Sequence, residues 1–252
     1  MGIAFVKKDP NTTIPAEANG VASLAATFDT DTTSGNLLVG IGSTFVGSGT
    51  SPTHTYSDNK ANDWSSLAVH QLSTSYTLSR ASIGYSAGIT GGASHTITLT
   101  PASTCDICLG VAEFSGVAAS SPISGTPVGA GSSSTAVSSG ATTPAANALY
   151  IGASCYNGTS RTFILNWSSA TELHNEASTS YATLGSAYKI TSGSQTAAWT
   201  LGQIENWACC IAAFAEAASG ITQTSVISAA ASVPTHTAVI LYPGSVIPTI
   251  TL

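Results

Sequence analysis

Thr32-Thr33-Ser34-Gly35-Asn36-Leu37-Leu38-Val39-Gly40-Ile41-Gly42 reads as a polar turn that runs straight into a buried strand. Hydroxyl residues and the Gly-Asn pair punctuate the turn. The apolar run behind them is short and bounded, as expected of a buried strand. The same plan returns 110 positions later as Thr142-Thr143-Pro144-Ala145-Ala146-Asn147-Ala148-Leu149-Tyr150-Ile151-Gly152, with the Asn displaced by one. A repeated turn-into-strand unit points to a chain built from two similar halves.

Working outward, further segments match in order. Asn62-Asp63-Trp64-Ser65-Ser66 is echoed by Asn166-Trp167-Ser168-Ser169. Ala87–Leu99 and Ala187–Trp199 each hold strand, Gly/Ser turn and strand, a hairpin signature. His95–Thr100 alternates strictly, so one of its faces is expected in a core. Each half closes on a strand carrying Phe and Glu, at Glu113-Phe114 and at Phe214–Glu216. These strands and turns predict an all-β fold, an antiparallel two-sheet sandwich of jelly-roll type, spanning residues 1–218 with halves at 1–115 and 140–218. The Gly/Ser/Thr/Pro-rich stretch from Ser115 to about Ala141 reads as a linker crossing the sandwich.

Charge is scarce. Asp, Glu, Lys and Arg make up 7% of the 252 residues, against roughly 25% in ordinary soluble domains. With 43% hydrophobic residues, disorder is the wrong reading, since disordered chains combine high charge with low hydrophobicity. The net charge is −6, and the only basic pair is Lys7-Lys8, so nucleic acid finds no electrostatic footprint. No apolar run reaches the length of a membrane span, and the start Met1–Asp9 does not read as a secretory leader. Residues 219–252 contain no Asp, Glu, Lys or Arg. They repeat short pieces such as Ser232-Val233-Pro234-Thr235 and Ser245-Val246-Ile247-Pro248-Thr249, which read as an extended arm that lies on a partner.

Signals for chemistry are few. Nucleophile-elbow, phosphate-loop, dinucleotide and metalloprotease motifs do not occur, and no cofactor is expected. Asp29-Thr30-Asp31 ahead of Gly35 alternates oxygen ligands as calcium loops do, without a third acid or a distal Glu, so a hydrophilic turn is the preferred reading. Glu172, His174 and Glu176 would share one face of a strand; a solvated polar face is the preferred reading there too. Asp58 and Asp63 share a polar turn, but closeness in sequence alone does not make an acid–base pair. Trp64 and Trp167 stand in polar surroundings and are the candidates for stacking on a sugar, while Trp199 and Trp207 read as core. Cys105, Cys108, Cys155, Cys209 and Cys210 read as core thiols, with one disulfide between the Cys-bearing segments, or a metal site, as alternatives.

As an ordered set, Gly35–Gly40, Tyr85–Leu99, Val111–Val117, Thr142–Gly152 and Trp207–Phe214 resemble the β-sandwich domain of tailed-phage virion proteins and related bacterial surface proteins. The resemblance covers residues 3–216. It implies a non-enzymatic bacteriophage component: a capsid decoration, head-fibre or tail accessory protein. Such a protein would be made in the host cytoplasm and carried in the virion, with residues 219–252 docking on capsid or tail proteins. A homo-oligomer, such as a trimer, is expected with it. The alternative expectation is a module binding a host glycan or receptor, extracellular or at a cell surface.

Overall fold

The structure, a computed structural model, describes residues 2–10, 12, 15–49, 51–71, 79–156, 163–176 and 182–218, with the backbone alone for 66–71. The expected docking arm, 219–252, therefore lies outside the described residues. Within Met1–Ser219, a single compact unit, all the regular structure among the described residues is β. The first strands are β1 (Ala4–Asp9), β2 (Ala16–Val21), β3 (Leu24–Thr27), β4 (Leu37–Phe45), β5 (His54–Asp58) and β6 (Ser65–Gln71). Next come β7 (Ser79–Ala87), β8 (Thr96–Pro101), β9 (Cys105–Ser115) and β10 (Val128–Thr142). The last are β11 (Ala148–Tyr156), β12 (Phe163–Leu165), β13 (Thr171–Glu176), β14 (Leu184–Thr191) and β15 (Gln195–Ala215). No helix among the described residues is long and apolar enough to cross a membrane.

The first large sheet runs β1-β9-β4-β7-β6, with β2 also on β9; the second runs β10-β15-β11-β14-β13, with β12 on β15. A small third sheet is ordered β3-β8-β5. Every strand of the first sheet comes from residues 4–115 and every strand of the second from 128–215, so the large sheets are not interleaved by the alternation a jelly roll requires.

One core lies between the large sheets and joins Leu37, Val39 and Ile41 of β4 to Leu149, Ile151 and Ala153 of β11. Two T-shaped aromatic pairs cross it reciprocally: Tyr85 on Phe214 at 5.4 Å and Tyr188 on Phe114 at 5.2 Å. A second core covers the other face of the first sheet, where Tyr56, Ile97 and Leu99 of the small sheet meet Leu38, Leu109 and Val111. A third covers the other face of the second sheet, where the first part of β15 brings Ala197, Trp199 and Leu201 onto Tyr150 and Ile211. Strands β4 and β11 are therefore buried on both faces along their whole length, which is why they are continuous apolar runs rather than alternating ones.

Glycines let the outer layers sit close. A Cβ at Gly40, Gly42 or Gly84 would come within 2.6, 2.7 and 2.3 Å of Tyr56 atoms, and one at Gly152 within 2.6 Å of the Ala197 Cβ. The expected linker is corrected in part: Val128–Thr142 is a 15-residue strand paired along β15. It carries no apolar alternation because it is an edge strand with most side chains at the surface, and its partner's backbone holds it in place.

Candidate functional site

Polar side chains converge on the segment from Phe28 to Asn36, which joins β3 to β4. Phe28 anchors it at 2% exposure, and its N–H donates to the His95 carbonyl at 3.0 Å. From β1, the Lys7 ammonium donates to the Thr30 carbonyl at 3.1 Å, to Thr30 Oγ1 at 3.1 Å and to the Asp31 carbonyl. The loop thus already turns its carbonyls to a cation, and that cation is Lys7. Asp29 and Asp31 keep exposed side chains. No group of three or more His, Cys, Asp or Glu able to hold a metal occurs among the described residues.

Beneath the loop lies Glu113, fully buried near the C-terminal end of β9. It stands opposite Lys7 in the β1 register and opposite Leu38 in the β4 register. Its Oε1 accepts the Thr33 N–H at 2.8 Å and the Asn36 Nδ2 at 2.6 Å, and its Oε2 is 3.4 Å from Lys7 Nζ. A buried carboxylate needs such partners, since an uncompensated charge in the interior costs several kcal/mol. Lys7, Lys8, Phe28, Asp29 and Thr30 line a cleft of about 90 Å³ above it. Asp9, at the end of β1, is pushed up to about 6 by burial and by the neighbouring Asp29 charge.

On the other side of the loop, Asp58, His95 and Thr32 form a chain. Asp58 Oδ2 is 3.1 Å from His95 Nε2, and His95 Nδ1 is 2.6 Å from Thr32 Oγ1. Burial would raise the Asp58 carboxyl, but hydrogen bonds from Asn62, Trp64 and His95 outweigh it and hold the group at about 2. Carboxylate, imidazole and hydroxyl follow one another as in nucleophilic triads. Here, however, the Thr32 hydroxyl is buried and shared with the Gly92 backbone, its N–H at 3.2 Å and its carbonyl at 3.4 Å. The chain ties the loop to the turn before β8. Asp58 and His95 are 37 residues apart and Thr32 and His95 are 63 apart, so no local motif could reveal them.

Two other histidines are spent on packing. His54 links Thr44 Oγ1 at 2.7 Å to Ser82 Oγ at 2.5 Å, and Ser82 Oγ continues to Tyr56 OH at 2.7 Å. Burial, helped by Arg80, holds His54 down at about 3. His174 corrects the expectation of a solvated face: it is fully buried, with Nδ1 3.1 Å from Ser186 Oγ. A register shift between Glu172 and His174 turns the ring inward, and Gly110 of β9 makes room for it, since a Cβ there would fall 2.3 Å from Nδ1. Burial, with Lys8 nearby, pushes His174 down to about 3.

Trp167 is corrected as well: 5% exposed, with Nε1 on Gln195 Oε1 at 3.2 Å, it offers no free ring face. Trp64 is partly exposed, stacked on Tyr56 at 5.9 Å and tied to Asp58 Oδ2 at 2.9 Å. Asp63 is exposed and takes no part in the Asp58 chain. All five cysteines are buried free thiols, and burial pushes Cys105 up to about 11 and Cys155 to about 12. Adjacent Cys209 and Cys210 face opposite cores, as neighbours in a strand must. No family model, curated protein or solved structure matches the chain.

Proposed function

We propose that the chain is a non-enzymatic structural protein of a bacteriophage virion, a capsid decoration, head-fibre or tail accessory component that docks through residues 219–252. The observation carrying this reading is how the scarce charges of the body are used. Lys7, Lys8, Asp58 and Glu113 bond to backbone or to neighbouring strands, and Lys8 reaches from β1 to the Leu173 carbonyl of the second large sheet. Polar groups committed to cross-strand ties make a stiff body, and the uncharged arm is the segment left over for a partner. A homo-oligomer and a place on the particle belong to the same proposal.

Truncation after Ala218 tests it. The cut keeps the Ala217 N–H on the Gly116 carbonyl at 2.8 Å, so the shortened chain should melt as the full chain does. It should no longer co-sediment with phage particles or form the full-length oligomer. A truncated chain that still assembles would sink the docking role of the arm. The second reading, a module binding glycan or receptor, rests on the partly exposed Trp64 ring. It requires glycan-array binding that disappears in Trp64→Phe as well as Trp64→Ala if the indole N–H held by Asp58 orients the ring.

A further inference from the structure

The geometry points to a covalent cross-link: an amide bond between the Lys7 side chain and the Asn36 side chain, formed on Glu113. Three features of the chain place the reactants. Lys7 and Glu113 are directly paired residues of adjacent antiparallel strands, so their side chains rise on one face. Asn36 precedes β4 on the opposite side of β9, two positions before the residue paired with Glu113. One buried carboxylate therefore touches both reacting groups, with Oε1 2.6 Å from Asn36 Nδ2 and Oε2 3.4 Å from Lys7 Nζ.

The two oxygens of Glu113 are used unequally. Oε1 is saturated by Thr33 and Asn36, whereas Oε2 is buried without a hydrogen bond and lies 3.4 Å from the Lys7 ammonium. That oxygen is the open acceptor a proton transfer from Lys7 needs. Most of the site is buried: Glu113 is 0% exposed, Asn36 9% and Phe28 2%, while the Lys7 side chain keeps 20%, and the Phe28 ring lies 5.8 Å from Lys7 Nζ. Burial of Asn36 and Glu113 limits competing hydrolysis of the carboxamide. Holding amine and carboxamide on one carboxylate supplies the proximity that makes amide exchange fast without a cofactor.

The step balances without an oxidant or other co-reactant. Lys7 gives a proton to Glu113 Oε2, and its freed electron pair attacks Asn36 Cγ, forming the new C–N bond. The Glu113 carboxyl hydrogen-bonds the tetrahedral oxyanion and then hands its proton to Nδ2. The Cγ–Nδ2 bond breaks, and the departing nitrogen takes its bonding pair and both protons that Lys7 loses. Ammonium leaves, Glu113 is again a carboxylate, and Lys7 and Asn36 share an amide. The link ties β1 to the start of β4 across β9, so the N-terminal edge strand can no longer peel away. This inference does not depend on the virion reading.

Intact-mass spectrometry of the full-length folded protein tests it. The wild type should be lighter than its sequence by one ammonia, and digestion should yield a branched peptide joining the Lys7 and Asn36 segments. Lys7→Arg and Asn36→Ala should each restore the full mass. Glu113→Gln, checked for folding by circular dichroism, should remain unlinked. Asn147, whose Nδ2 meets Glu216 Oε2 at 2.8 Å near the surface, should stay unlinked throughout. A wild-type chain that keeps its full sequence mass after prolonged incubation overturns the proposal. So does an ammonia loss that persists in Lys7→Arg, the signature of succinimide formation at Asn19-Gly20 or Asn157-Gly158.

Discussion

Taking the protein from pH 7 to pH 5 should remove about 4 kcal/mol of stability through His54 and His174, about 2 kcal/mol from each. Both imidazoles sit at about 3 in the folded chain, against 6.5 when free, because burial disfavours the charged ring. The sign follows directly. The unfolded chain takes up protons below 6.5 and the folded chain does not, so stability present above that value drains away as the pH falls toward 3. Asp9 works the other way: its folded value, about 6, lies above the ordinary 3.8, so acidification restores part of what the histidines lose. Asp58 enters only in stronger acid, where stability present above 3.8 is lost as the pH falls through about 2. Urea unfolding followed at pH 7, 6 and 5 measures the balance, and His174→Gln should flatten the slope by up to about 1.4 kcal/mol per pH unit. Equal midpoints at pH 7 and pH 5 would contradict two neutral, buried imidazoles.

Tyr56→Ala should be the most damaging single truncation in the outer layer, costing about 3–5 kcal/mol. The ring is 7% exposed, stacked on Trp64, bonded to Ser82, and seated where Gly40, Gly42 and Gly84 carry no side chain. Nothing on those strands can fill the vacated space. The reverse change makes the same point: in Gly84→Ala the new methyl would lie 2.3 Å from the ring, so strand and tyrosine must move apart at a cost of about 1–3 kcal/mol. In the Tyr56→Ala background the Gly84→Ala cost should vanish. Chemical denaturation of the two single variants and the double gives the coupling, and simple additivity would show that ring and strand do not touch.

Much of this architecture was legible because apolar patterning is local. The runs Leu37–Gly42 and Ala148–Gly152 announced themselves as buried strands, and the alternating segment after His95 became β8, with Ile97 and Leu99 inward. What was not legible depends on contacts across sheets. Val128–Thr142 has the composition of a linker, and only the 21-residue reach of β15 beside it explains why it is a strand. His174 looked solvated because nothing in its own segment announces the register shift or the missing side chain at Gly110. Trp167 stands in polar sequence yet ends under Gly152, whose Cβ would approach it at 3.2 Å. The polar cluster was visible only in fragments. Asp29-Thr30-Asp31 drew attention as a cation loop, but the cation comes from Lys7, more than twenty residues earlier, and the carboxylate beneath from Glu113, 80 residues beyond Thr33.

The sealed thiols also make the protein a reporter of its own breathing. Cys108, Cys155, Cys209 and Cys210 lie between layers at 0–1% exposure, while Cys105 reaches 5%. A thiol reagent can reach each of them only when the layer above it lifts. Labelling rates then read the frequency of local opening site by site: Cys210 reports separation of the two large sheets, and Cys209 reports lifting of the folded-back part of β15.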